Sequence, residues 1–171
     1  IYLNPENNQK ADLTVAKRSY GSKAGAAITM QGEPSKEGVS YLAEGVETTL
    51  SVQQSVPEDS HVLAVSGKQN FTNIDPDLLS DKVVLCLDND GVDANKDPAI
   101  QQTIERLEDM GKEVFTTMPN DIKTDFNDML KEAGSTSIKQ QIVQDIAGQM
   151  HIDDVAVLDT LAEKFINDKH E

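Results

Sequence analysis

Five consecutive apolar residues, Val83-Val84-Leu85-Cys86-Leu87, end abruptly in Asp88-Asn89-Asp90-Gly91. A run this short and this continuous fits a strand buried on both faces, which is the habit of parallel sheets covered by helices. The segments around it alternate in the same sense. Val39–Ala43 and His61–Val65 read as further strands, Glu47–Gln54 as a helix and Asp75–Leu79 as a short helical piece. Ile100, Ile104 and Leu107 mark a helix over Pro98–Met110, with Pro98 suited to its first turn and Gly111 to its stop. Lys112–Thr117 reads as a strand closed by Pro119, and helices follow near Asn127–Glu132 and Thr136–Ile146. Asp153 or Asp154 suits the N-cap of a last helix through Leu158, Leu161 and Phe165. The expected class is α/β, with a mostly parallel central sheet of about four strands and helices on both sides.

The chain divides into three expected parts: a small β-rich accessory segment over 1–36, the α/β domain over 37–135, and a helical extension over 136–171. Within the first, Ala24–Met30 reads as a strand, and Gln31-Gly32-Glu33-Pro34-Ser35 as a linker. The chain starts with Ile1 in what reads as a strand, so a fragment of a longer polypeptide is expected. Cys86 is the only cysteine, which rules out an internal disulfide and points to a reducing, cytoplasmic compartment. No apolar run nears the ~20 residues of a membrane span.

Charge constrains partners. The net charge is −15, but residues 1–40 carry +1, so the other 131 residues hold −16. A self-sufficient nucleic-acid binder is basic on at least one face. Grip on DNA is therefore expected from other domains of the same polypeptide. Lys17, Arg18, Lys23 and Lys68 are the local candidates for a phosphate or nucleic-acid contact. For Ser66-Gly67-Lys68 the plainer alternative is a strand-ending turn.

Ligands of open α/β sheets gather at the carboxyl ends of the strands. Three carboxylate groups fall there: Glu44 after the first buried strand, Asp88 and Asp90 after the most apolar one, and Asp125 with Asp128 beyond the last. Residues two apart on an extended chain face the same way, so Asp88 and Asp90 can meet one ion together. Oxygen donors without His or Cys suit Mg²⁺ or Mn²⁺ rather than Zn²⁺. Each aspartate alone has a blander reading as a turn or helix cap, and Asp125 and Asp128 precede a helix. Glu47 and Asp93 are either solvated or part of a second metal position. An EF-hand reading of Asp88–Gly91 fails for want of a correctly spaced Glu and a preceding helix.

Glu44-Gly45-Val46-Glu47-Thr48-Thr49-Leu50-Ser51 resembles the Glu-Gly motif of Toprim domains, especially the form in plasmid and phage primases. Leu87-Asp88-Asn89-Asp90 resembles their Asp-x-Asp motif, and Lys123–Leu130 the Asp-Phe-Asn-Asp segment of primase–helicase versions. Tyr2-Leu3-Asn4, Lys10-Ala11, Lys17 and Gly21 are similar to the segment that precedes the domain in those proteins. One departure is Asp93, which stands where many relatives carry a glycine. The resemblance implies a Mg²⁺ site held by Asp88 and Asp90, with Glu44 as general acid or base and Asp125 as an added acidic group. It further implies a primase-like nucleotidyltransferase module acting on DNA and nucleoside triphosphates within a mobile-element replication or conjugative-transfer protein. A metal-dependent nuclease, or a catalytically weak docking module in a relaxase or recombination complex, is the competing expectation.

Overall fold

The computed structural model describes residues 3–7, 9, 11–14 and 24–150. Expectations placed on Lys17, Arg18 and Lys23, on the strand at residues 1–2, and on the helix beyond Asp153 lie outside the described residues.

Five strands form one sheet: β1 (Ile28–Gln31), β2 (Val39–Ala43), β3 (His61–Ala64), β4 (Lys82–Cys86) and β5 (Glu113–Thr117). Their spatial order is β1-β3-β2-β4-β5. β2 to β5 run parallel, and β1 joins antiparallel to the outer edge of β3 with an irregularity between Thr29 and Gln31. The sheet thus has one strand more than the expected four, because the expected strand near Ala24–Met30 pairs into it. Hydrophobic pattern locates such a strand but does not say which edge it joins.

Alternation along the central strands sends side chains to two separate cores. On one face Tyr41, Ala43, Val84, Cys86 and Phe115 pack under three helices: α1 (Val46–Gln53), α3 (Phe126–Ala133) and α4 (Ser135–Gln149). These helices supply Val52, Phe126, Ile138, Ile142 and Ile146. On the other face Leu42, Leu63, Val83, Leu85 and Leu87 meet Ile100 and Leu107 of α2 (Pro98–Asp109). Phe71 and Ile74, in and after a 3₁₀ turn at Lys68–Asn73, complete that side. The strand with the unbroken apolar run, β4, is central and covered on both faces. Cys86 is fully buried, and burial pushes its thiol pKa far up, so it belongs to the core. His61 is buried too, its Nδ1 3.0 Å from Ser40 Oγ.

Strand order fixes where a ligand can sit. From β2 the chain moves outward to β3, then returns across the sheet to β4 on the other side of β2. The connections from β2 and β4 therefore leave in opposite directions. A crevice opens between their carboxyl ends, which is where open α/β sheets hold ligands.

Candidate metal centre

Glu44 and Asp88 flank that crevice. Ala43 pairs with Cys86 in the β2–β4 register, so Glu44 lies one residue past β2 and Asp88 two past β4. Glu44 Oε1 and Asp88 Oδ1 are buried atoms with no hydrogen-bond partner. A buried carboxylate oxygen without a donor loses its hydration and gains nothing in return, so two at the carboxyl ends of neighbouring strands mark a candidate ligand position.

Electrostatics agree with that geometry. Burial, then the charges of Asp88 and Asp90, push Glu44 up to about 7, against the pull of Lys68. Burial, then Asp125 and Asp90, push Asp88 up to about 6, against a hydrogen bond from the Thr48 hydroxyl and the charge of Lys68. The cluster is thus Glu44, Asp88, Asp90 and Asp125, with Lys68 as the basic side chain that acts on both raised groups.

Local structure explains how each residue arrives. Asn89, between the two aspartates, points away from them and ties down a neighbouring loop. Its amide donates to Pro119 O at 2.7 Å and Asn120 O at 3.3 Å, and its backbone forms an antiparallel bridge with Thr124. That clamp brings the start of α3 to the end of β4, and with it Asp125. Asp125 is the N-cap of α3: its Oδ1 accepts from Asp128 N at 2.9 Å, while Asp128 Oδ2 accepts from Asp125 N at 3.4 Å. This reciprocal box satisfies two otherwise unpaired amides. Asp128 also lies 3.8 Å from Lys131, so its contacts are those of a helix terminus. Glu47 is exposed in the first turn of α1 and is not among the charges that perturb Glu44 or Asp88. Asp93 is exposed and lies 4.0 Å from Lys96.

Lys68 follows a turn wound through Ser66 at φ 62° and Gly67 at φ 120°. Its backbone N–H donates to Glu44, and its Nζ lies 2.8 Å from Asp90 Oδ2 and 3.3 Å from Asp97 Oδ2. Asn89, Thr48 and Asp97 are the contributors that the sequence reading passed over. Asp97 had a readable signal, since Asp before Pro is the N-cap and first-turn pair of a helix. Asn89 and Thr48 had none, because their partners are remote in sequence.

Among the described residues no three His, Cys, Asp or Glu side chains close into a preformed metal-ligand group. The residues nevertheless fit a hard cation. Mg²⁺ is commonly held by one or two carboxylates with waters and substrate phosphates, and the orphaned oxygens of Glu44 and Asp88 are donors of that kind.

The family profile described as Toprim domain matches residues 39–136, more than half of the chain. The chain belongs to the Toprim family. Toprim domains generally bind Mg²⁺, which accords with the donor set. No curated protein matches the sequence. Among solved structures, the Aquifex aeolicus primase (zinc binding and RNA polymerase domains) is similar with TM-score 0.46 and 21% identity, over 75% of this chain and 36% of that one. A DNA primase domain from Pseudomonas aeruginosa is similar with TM-score 0.42 and 17% identity, over 73% of this chain and 43% of that one. This Toprim chain thus spans less than half the length of either solved structure. Among the described residues no helix is long and apolar enough to cross a membrane.

Proposed function

We propose that this chain is the Mg²⁺-binding module of a primase-like nucleotidyltransferase, acting on DNA and nucleoside triphosphates as part of a larger polypeptide. The observation that carries the reading is the pair of orphaned carboxylate oxygens on Glu44 and Asp88 at the sheet's switch point. The likeness of Asp125-Phe126-Asn127-Asp128 to the segment of primase–helicase proteins supports the choice of chemistry. The plasmid and phage form of the Glu-Gly motif favours a mobile-element replication or conjugative-transfer protein as its setting.

Asp88 and Asp90 would hold the ion, with Glu44 beside them. A bound Mg²⁺ supplies neutralisation of the negative charge that develops on a transferring phosphoryl group. Glu44 contributes the proton chemistry. A carboxyl with a pKa of about 7 exists in both protonation states near neutrality, which suits a group that accepts a proton from an attacking hydroxyl and returns it. Asp125 adds negative charge next to Asp88 and fixes the start of α3. Asn89 positions that helix against the site. The surrounding acidity leaves template binding to other domains.

Calorimetric titration with Mg²⁺ and Mn²⁺ tests the site directly. The wild-type chain should bind weakly, and the Asp88→Ala/Asp90→Ala variant should not bind. Equal binding by both, or none by either even with nucleotide present, refutes the metal centre. Primer synthesis by the full-length protein then tests the reaction class. Strand cleavage without synthesis would instead favour a metal-dependent nuclease, and neither activity would favour the docking module.

A further inference from the structure

Lys68 is held more firmly than a surface lysine. The 3₁₀ turn that begins with it is anchored at Asn70, whose buried amide donates to Val65 O at 2.6 Å and Ala26 O at 2.7 Å. Phe71, one residue on, is fully buried in the same core as Ile100 and Leu107 of α2. The ammonium therefore reaches the carboxylates from a fixed platform, and its side chain is only 21% exposed.

Its two partners are unequal. Asp97 is committed to the fold: its Oδ1 caps α2 by accepting from Ala99 N at 3.0 Å and Ile100 N at 3.4 Å, which leaves Oδ2 for Lys68. Asp90 reaches outward with 63% of its side chain exposed, and it is one of the two aspartates of the metal reading. The ammonium thus spans one carboxylate that belongs to the scaffold and one that belongs to the site.

We infer that Lys68 is an internal counter-cation, which neutralises Asp90 in the metal-free protein and yields it to a divalent ion while staying seated on Asp97. The inference rests on the metal-centre reading above. Three features carry it. The ammonium partners Asp90 but leaves Glu44 Oε1 and Asp88 Oδ1 without a donor, so the cluster remains short of positive charge. Asp97 offers a second seat at 3.3 Å, so leaving Asp90 does not strand the ammonium without an anion. The platform of Asn70 and Phe71 keeps the lysine within reach, so the exchange needs only side-chain motion. Divalent-ion affinity is then set by competition with a built-in cation.

Titration of the 171-residue chain with Mn²⁺ alone tests this, with thermal unfolding to confirm that each variant is folded. Removing one positive charge beside a part-exposed ligand should tighten Mn²⁺ binding about three- to tenfold in Lys68→Met at unchanged stoichiometry. Lys68→Gln, a second neutral variant, should move the same way. Asp97→Asn retains a capping side chain but removes the second seat, and should weaken binding about two- to fivefold. In a Lys68→Met background that substitution should matter by less than about twofold, since no lysine remains to be seated. Binding by the neutral variants equal to or weaker than wild type, with Asp88→Ala still abolishing it, overturns the counter-cation and leaves the metal centre standing. Absence of binding in wild type and neutral variants alike overturns both. An equal Asp97→Asn effect in both backgrounds refutes the second seat.

Discussion

Asp88 and Asp145 are both half-buried aspartates whose pKa burial pushes upward, yet their surroundings are opposite. Asp145 lies on α4, four residues from Gln141 and four from Gln149, so the three share one helix face. Its Oδ2 accepts from Thr117 Oγ1 at 2.7 Å and Met118 N at 3.3 Å, and its Oδ1 accepts from Gln141 Nε2 at 3.0 Å. Gln141 is held in turn by Asn120 at 2.9 Å. Gln149 donates to Thr116 O at 2.7 Å and accepts from Thr116 N at 2.9 Å. This ladder covers the outer side of β5, an edge strand whose free amides would otherwise invite pairing with another chain. Every oxygen of Asp145 has a donor. Asp88 Oδ1 and Glu44 Oε1 have none. Burial and a raised pKa are common to both aspartates; what separates them is the state of their lone pairs.

The comparison can be broken by removing each carboxylate in turn. Asp145→Ala removes the acceptor of three donors and should destabilise the fold by about 2–3 kcal/mol in chemical denaturation, with Mn²⁺ affinity unchanged. Loss of metal binding there would erase the distinction. Glu44→Gln with Asp88→Asn should act in the other direction. After allowance for solvent screening at these part-exposed groups, the pair should stabilise the metal-free protein by about 1–2 kcal/mol at pH 8.

The sign follows from the raised pKa values of about 7 and about 6, against ordinary values of 4.5 and 3.8. Between roughly pH 4 and pH 7 the native state holds protons that the unfolded chain has released. The wild type should therefore lose stability relative to the variant as pH rises through that window, and the gap should close below pH 4. Saturating Mg²⁺ should offset the wild-type deficit at pH 8. A variant less stable than wild type at every pH would mean that the orphaned oxygens have partners in solution.

Smaller effects sharpen the contrast. Gln149→Ala should cost about 1 kcal/mol and, by uncovering Thr116, make association at the β5 edge measurable by light scattering at high concentration. Asp128→Ala should cost about 0.5–1 kcal/mol as the loss of half a capping box, and leave Mn²⁺ affinity within twofold. A tenfold loss of affinity would return Asp128 to the metal centre.

Much of the candidate site was legible because strand ends are legible. Apolar runs announce β2 and β4, and the residues after them, Glu44, Asp88 and Asp90, stand at carboxyl ends whatever the strand order. The same local logic placed helix starts at Pro98, near Asn127 and near Thr136, each within one residue of those observed. In α4, however, side-chain period marks only the apolar face of Ile138, Ile142 and Ile146 and carries no signal for the polar stripe through Gln141, Asp145 and Gln149. Its partners lie on β5 and the loop beyond, 21 to 33 residues away.

The sequence by itself determined the elements, their α/β alternation and the presence of acidic groups at three strand ends. These depend on side-chain period and on signals a few residues apart. Tertiary structure decided that β1 pairs antiparallel with β3, that the crevice opens between β2 and β4, and that Asn89 carries Asp125 to Asp88. It also decided that Lys68 lands between Asp90 and Asp97, and that Asp145 is satisfied while Asp88 is not. Each of these outcomes depends on which distant backbone a side chain meets, and a hydrogen bond or ion pair between remote residues leaves no periodic trace along the chain.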